Sequence, residues 1–308
     1  VGEDQPLDLP GLAAAVLCCA LWGGNAVAVK LTVPDIPAFG CAGLRFLIAL
    51  PLIALVCRQL RQPVRIPKPH WGLVLAHALL TVIQIGTFNW GTSHSLAGRS
   101  SILINVHPLV VAPLAWMVLG ERMGGRGLAG LVSATFGVLV LFLGRRPHSG
   151  ELVGDLVVLG SGVIFGVQTI AQKKTFPVVP PTTLLLWQTV VAVPLFLGYS
   201  ACFEGLGAYH QNARVIAGLL YQGVAVSGIC FTTWLLLLRR YPAGRLATIA
   251  FVTPIFGVGL GNLVRGEPLT WPLLIGCGLV GWGIYLTSSD RVVQHTGTTL
   301  GLPGEDAP

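Results

Sequence analysis

Four stretches of this chain set polar and aromatic side chains at the spacing of a single helical face. His77, Thr81, Gln84 and Phe88 stand at i, i+4, i+7 and i+11, and so do Gly223, Ser227, Cys230 and Trp234. The same spacing holds for Cys18, Trp22, Asn25 and Val29, and for Ser161, Phe165, Gln168 and Gln172. Amides give and accept hydrogen bonds at once, and aromatic rings cover apolar surface. The chemistry on offer is reversible binding of a small molecule with polar and apolar parts. Packing between helices uses the same residue types, so either role is open for each residue taken singly. Asn105 and His107 precede Pro108, and Thr253 precedes Pro254. A proline removes the donor owed to the carbonyl four residues back, here Ile104 and Ala250, and such an acceptor is open to a substrate, a water or a local side chain. Arg45 is the one base inside an apolar run. It either holds an acidic substrate group or pairs with Glu267.

Bond-breaking chemistry finds no support. None of the twelve acids falls mid-way along an apolar run, and there is no phosphate-binding G-x-x-x-x-G-K-[ST] loop and no H-E-x-x-H. The seven cysteines lie in or at the ends of apolar runs with no C-x-x-C, which reads as buried small hydrophobes, not a metal or redox site. No cofactor or metal is expected.

The elements that position these residues follow from composition. Of 308 residues, 53% are hydrophobic and only 10% charged, against about 25% charged in soluble domains. That balance cannot coat a water-exposed surface and points to the bilayer as solvent. Runs of about 20 apolar residues cross a bilayer as helices, and ten fit: 11–31, 38–57, 71–92, 98–119, 126–144, 153–171, 182–201, 215–238, 244–264 and 270–288. With the N-terminus in the cytoplasm, twelve of the nineteen Lys and Arg fall inside and six outside, so both termini are expected to be cytoplasmic. The formal charge of +7 is thereby a topology signal and not a nucleic-acid footprint. Lys30 and Lys173, at the ends of their spans, are expected to snorkel to the interface. Glu121 and Glu267 are expected to sit at the N-termini of the fifth and tenth helices.

The chain also repeats itself. At an offset of 146, Ala97-Gly98-Arg99 meets Ala243-Gly244-Arg245, Pro108 meets Pro254, and Gly120-Glu121 meets Gly266-Glu267. At 143, Trp22-Gly23 meets Phe165-Gly166, Asn25 meets Gln168, Arg45 meets Gln188, and Pro51-Leu52 meets Pro194-Leu195. The repeats, 1–147 and 148–290, hold five spans each, followed by a disordered tail over 291–308. An odd number of spans inserts the second copy upside down. Two inverted halves offer two conformations of similar energy, one open to each side, which is the architecture of many secondary transporters. A channel or a membrane-embedded enzyme with a duplicated fold is the alternative.

Ala20-Leu21-Trp22-Gly23-Gly24-Asn25, Leu44-Arg45-Phe46, Pro108 with Leu119-Gly120-Glu121-Arg122, and the echo Pro254 with Gly266-Glu267-Pro268 resemble the EamA family of the drug/metabolite transporter superfamily. The resemblance covers residues 12–288. It implies an all-α membrane protein of ten transmembrane helices in two inverted five-helix repeats, with the fifth and tenth helices peripheral. It also implies transport, often export, of small metabolites such as amino acids, in a bacterial inner membrane. The expected partners are a small-molecule substrate and the lipid bilayer, with monomer or homodimer left open. The substrate-binding residues expected are Trp22, Asn25, Arg45, His77, Gln84, Asn105, His107, Phe165, Gln168 and Trp234.

Overall fold

The computed structural model describes residues 7–121, 124–142, 151–205, 209–265 and 271–288, and among them no strand occurs. Eight helices are long and apolar enough to cross a membrane: α1 (Leu9–Thr32), α2 (Ala38–Gln59), α3 (Lys68–Ser93), α4 (Ala97–Leu119), α6 (Leu152–Thr175), α7 (Pro181–Glu204), α8 (Ala213–Arg240) and α9 (Ala243–Val264). Two more helices of 18 residues each, α5 (Gly125–Phe142) and α10 (Trp271–Ser288), pack against one another, joined by the Ser133 hydroxyl donating to the Leu279 carbonyl at 3.0 Å. Hydrocarbon supplies no hydrogen-bond partners, so a helix, which satisfies its own backbone, is the structure these runs can adopt. Outward faces carry Leu17, Leu47, Leu75, Leu79, Trp116, Phe136 and Trp282, all exposed. A water-soluble protein could not carry that surface; it is the surface of a multi-pass membrane protein. The tail over 291–308 lies outside the described residues.

The helices pack in related pairs: α3 on α6 and α8 on α1, α2 on α8 and α7 on α3, α1 on α9 and α6 on α4. Glycines set two of these crossings. A Cβ on Gly23 would sit 2.7 Å from the Phe256 Cβ and 2.8 Å from the Gly257 nitrogen, and one on Gly166 would sit 2.7 Å from the Val110 Cβ and 3.0 Å from the His107 carbonyl. Both α1 and α6 therefore press backbone to backbone on a neighbour, next to Trp22 and Phe165.

Several spans are broken where the sequence places a breaker. α4 runs as helix to Leu103, tightens to a 3₁₀ turn over Ile104–Val106 and resumes at His107. α9 stops at Ala250 and resumes at Thr253. The carbonyl of Ile104 is not left open: the His107 backbone N–H donates to it and the His107 ring nitrogen Nδ1 lies 3.3 Å away. Two departures have no signal in the proline pattern. α1 is jointed at Gly24, with the Tyr221 hydroxyl of α8 donating to the Leu21 carbonyl at 2.5 Å. α8 is wound as a wide π-helix over Tyr221–Cys230, a distortion that recurs at functional sites.

The Gly23 crossing gives a test of this packing. Gly23→Ala should lower the thermal midpoint of the purified protein by the cost of overpacking, about 1–3 kcal/mol. Gly160→Ala, where a Cβ meets nothing within 4 Å, should leave the midpoint unchanged or raise it slightly. Equal effects of the two would refute the backbone contact.

Candidate functional site

A cavity of about 70 Å³ lies in the bundle between the two chain halves, room for roughly five waters. Seven of the ten residues expected from sequence line it: Trp22, Asn25, Arg45, Gln84, Asn105, His107 and Phe165. Its lining comes from residues 22–26 of α1, 45 of α2, 84–88 of α3, 101–107 of α4, 165 of α6, 226–231 of α8 and 253 of α9. The α3 and α4 residues belong to the ends of their helices nearest the 94–96 turn, so the cavity extends from mid-bundle toward that end.

Arg45 is 1% exposed. Its Nε donates to the Ser227 hydroxyl at 2.9 Å, and its Nη1 to the Asn25 amide oxygen at 3.4 Å. Ser227 lies in the π segment of α8, whose widened turn presents it to α2. Among the described residues no carboxylate pairs with this guanidinium; Glu267 lies outside them.

The opposite wall belongs to α4. Asn105 spends its amide N–H₂ on the Ser101 carbonyl at 2.6 Å, and its Oδ1 is buried without a partner. The Ser101 hydroxyl and His107 Nε2 are likewise buried and unpartnered. Satisfied polar atoms are the rule in protein interiors; other buried atoms here also lack a partner, Thr182, Thr189 and Thr232 among them, but these three share one wall of a cavity, where a ligand or water can reach them. Ser101, one turn before Asn105 on the same face, and Phe231 also line the cavity and carry no signal in the helical stripes; Thr253, beside Pro254, lines it too without being among the expected binding residues.

Rings close the far side of the cavity. Trp22 meets Trp234 at 4.8 Å, Phe231 at 5.8 Å and Phe165 at 6.2 Å, and Phe165 meets His107 at 4.6 Å. Trp234 is buried under Trp22 and does not reach the cavity. His77 and Gln168 also lie off it. His77 Nε2 bonds the Thr175 hydroxyl at 3.0 Å, and the Gln168 amide donates to the Thr81 hydroxyl at 2.7 Å. The α3 stripe is divided: Gln84 and Phe88 face the cavity, while His77 and Thr81 face α6. Gln84 donates to Ser161 at 3.0 Å and its carbonyl accepts from the same hydroxyl at 2.7 Å.

Beyond the rings, at the end of the bundle bearing the N-terminus, charged groups tie helices together. Lys173 does not snorkel. It is 7% exposed, forms an ion pair with Glu121 at 2.8 Å and donates to the Tyr241 carbonyl at 2.7 Å. Glu121 does not cap α5; its other oxygen accepts the Gly244 N–H at 3.2 Å, where the positive end of α9 favours an anion. Asp8 caps α1 through the Gly11 N–H and accepts from the Tyr241 hydroxyl at 2.7 Å and from Arg240 at 3.1 Å. The Tyr241 bond, then the Gly11 N–H and the Arg240 charge, hold the Asp8 carboxyl below its ordinary value of 3.8. At the other end, Arg99 pairs with Asp155, which also accepts from Ser95 at 2.5 Å, and Glu204 accepts the Phe39 and Gly40 N–H groups that open α2. Lys30 donates to the Ser93 carbonyl at 3.1 Å. Of the cysteines, Cys18, Cys19, Cys41, Cys57 and Cys230 are buried and unlinked; Cys202 is exposed, against expectation, because α7 runs on to Glu204 and turns that side chain outward. No group of metal-binding side chains occurs among the described residues.

The sequence model of the EamA-like transporter family matches this chain twice, over residues 9–143 and 152–289. The chain belongs to the EamA-like transporter family. Relatives span almost its whole length. A protein named "Probable amino-acid metabolite efflux pump" in Escherichia coli is 28% identical, with 88% of this chain and 92% of that protein covered. The uncharacterized transporter YoaV of Bacillus subtilis is 25% identical, with 87% and 93% covered. A solved structure, described only as the crystal structure of a protein, superposes with a TM-score of 0.76 over 91% of this chain and 98% of its own at 18% identity, a likeness of fold. This EamA-like protein is thus a multi-pass transporter, and its cavity is the natural place to look for cargo.

Two tests address the ionic end. Lys173→Met leaves Glu121 buried and unpaired, and should destabilise the protein by about 3–5 kcal/mol, whereas adding Glu121→Gln should restore most of the loss. Additive losses in the double variant would sink the pair. Because the Asp8 carboxyl is depressed in the fold, its contribution is complete above 3.8 and fades as pH falls through the folded value. Asp8→Asn should therefore lower the thermal midpoint at pH 7, and the gap from wild type should close as pH drops below 3.8.

Proposed function

We propose that this protein is a secondary transporter that exports small metabolites, such as amino acids and their derivatives, by alternating access. In this reading ten spanning helices form two inverted five-helix repeats, residues 1–147 and 148–290, and both termini face the cytoplasm of a bacterial inner membrane. The observation that carries it is a buried cavity lined by both halves, off-centre toward the end of the 94–96 turn, with rings on its other side that include the corresponding residues Trp22 and Phe165. Other observations support it. The family model matches twice in one chain. Exchanging α1 with α6, α2 with α7, α3 with α8, α4 with α9 and α5 with α10 turns several packed pairs into packed pairs: α3 on α6 into α8 on α1, α2 on α8 into α7 on α3, and α1 on α9 into α6 on α4. The close approaches also correspond, Gly23 on Phe256 with Gly166 on Val110. Two conformations related by that exchange would differ little in energy, as alternating access requires. Amino-acid metabolites are the cargo in the name of the Escherichia coli relative.

Purified protein in proteoliposomes, challenged with a panel of labelled amino acids and derivatives, should show saturable flux of at least one. Asn25→Leu should weaken its apparent affinity by about tenfold or more, the cost of one lost polar contact. Gln168→Leu, at a residue off the cavity, should leave affinity near wild type. Reporter fusions after Gly150 should read outside and after Pro177 inside. Unsaturable single-channel conductance would favour a pore, and the opposite reporter pattern would sink the orientation.

A further inference from the structure

We propose that the cavity selects monoanionic carboxylates that bear a neutral hydrogen-bond donor and an apolar body, and that Arg45 is the residue that grips the carboxylate. α-Hydroxy acids and N-acylated amino acids are the ligand classes meant; zwitterions and cations are disfavoured. The proposal rests on the transport reading and restricts its substrate to derivatives that have lost the ammonium group, setting free amino acids aside.

The charge of the lining comes first. Arg45 is buried, its partners Ser227 and Asn25 are neutral, and among the described residues no carboxylate lines the cavity. A charge within a bilayer is costly and is kept where it meets an opposite charge or water. Here the missing opposite charge is one that a ligand can bring, and a planar guanidinium suits a carboxylate in particular. The same deficit works against an ammonium group, which would enter a low-dielectric space that holds a fixed positive charge and no anion of its own.

The other wall defines the second group. Asn105 Oδ1 is an acceptor with no donor. His107 Nδ1 lies 3.3 Å from the Ile104 carbonyl, which only a protonated Nδ1 can bond, so the neutral ring presents Nε2 as a second unfilled acceptor. Both ask for an O–H or N–H. A hydroxyl or an amide N–H supplies one without charge. Between the walls lie Trp22, Phe88 and Phe165, which suit an apolar body.

The test uses ligands that share a benzyl group and differ in charge: 3-phenyllactate, N-acetylphenylalanine, phenylalanine, phenethylamine and 3-phenylpropionamide. Binding to the full-length protein in lipid nanodiscs is measured by calorimetry and by thermal shift. Phenyllactate and N-acetylphenylalanine should bind more tightly than the other three by roughly 30-fold, the fold-change expected when a buried charge contact is lost. Arg45→Gln should remove that preference. Asn25→Asp, nearly the same shape, places a carboxylate beside the guanidinium and should remove it too, even where Arg45→Gln fails to fold. Phenylalanine or phenethylamine binding as tightly as phenyllactate would overturn the proposal. So would carboxylate binding that survives in the folded variants, or a wild type that binds neither carboxylate. Failure of the transport reading looks different: the two carboxylates bind through Arg45, yet nothing crosses a proteoliposome membrane.

Discussion

Polar groups inside hydrocarbon have no water to fall back on, and each one left without a partner costs several kcal/mol. Most of this structure follows from that constraint. It makes every described span a helix, places leucine and tryptophan on the outer faces, and favours interior polar side chains that meet across a helix interface. Gln84 finds Ser161, Gln168 finds Thr81, His77 finds Thr175, and the Tyr221 hydroxyl reaches the Leu21 carbonyl beside the joint in α1. Buried atoms without a partner are scattered through the bundle, Thr182, Thr189 and Thr232 among them, and three of them gather on one wall of the cavity. Asn105, His107 and Ser101 leave atoms unpartnered at one place, on the wall opposite the one cation among the lining residues.

The same constraint governs the charged groups at the two ends. Lys173 and Glu121 are buried, and each also bonds backbone at the joint between α8 and α9. A buried pair of this kind adds little to net stability compared with an apolar substitute, yet it resists being half removed. Its value lies in tying α4, α6 and α9 at one end while the cavity approaches the other. A contact that is stable when made and costly when half made is suited to a switch between two arrangements.

Much of this was legible in sequence. Apolar run length gave the helices to within a few residues, since a bilayer sets a minimum length that 38–57 or 71–92 visibly meets. The prolines at 108 and 254 foretold the breaks in α4 and α9, because a missing N–H breaks the ladder wherever the helix sits. Helical spacing alone could not tell which way a stripe points. His77 and Gln84 lie two turns apart on one face of α3 and both bond α6, yet only Gln84 also lines the cavity. Burial of Lys173 was hidden for a similar reason. A lysine at the end of an apolar run snorkels unless an acid from elsewhere in the fold reaches it, and the arrival of Glu121 from 52 positions earlier is a tertiary fact. The π-helix of α8 has no proline to announce it; it contains Gly223 and Gly228 and carries the Ser227 that Arg45 bonds.

The proposed repeat also explains why the site is chemically lopsided. Arg45 corresponds to Gln188 at the 143-residue offset, Asn25 to Gln168, and Ser227 to Thr81 at 146. The surroundings differ, however: Asn25 and Ser227 both bond Arg45, whereas Gln168 donates to Thr81 and Gln188 accepts from Gln172 at 3.5 Å. Position 188 is buried, and an arginine there would add the desolvation of a second charge, a cost of several kcal/mol. A neutral amide avoids that cost and still gives and accepts hydrogen bonds. Under the proposed reading, the energy balance between two access states would depend on the packing of glycines and rings that both halves share, and the selectivity on Arg45, which the second half does not repeat.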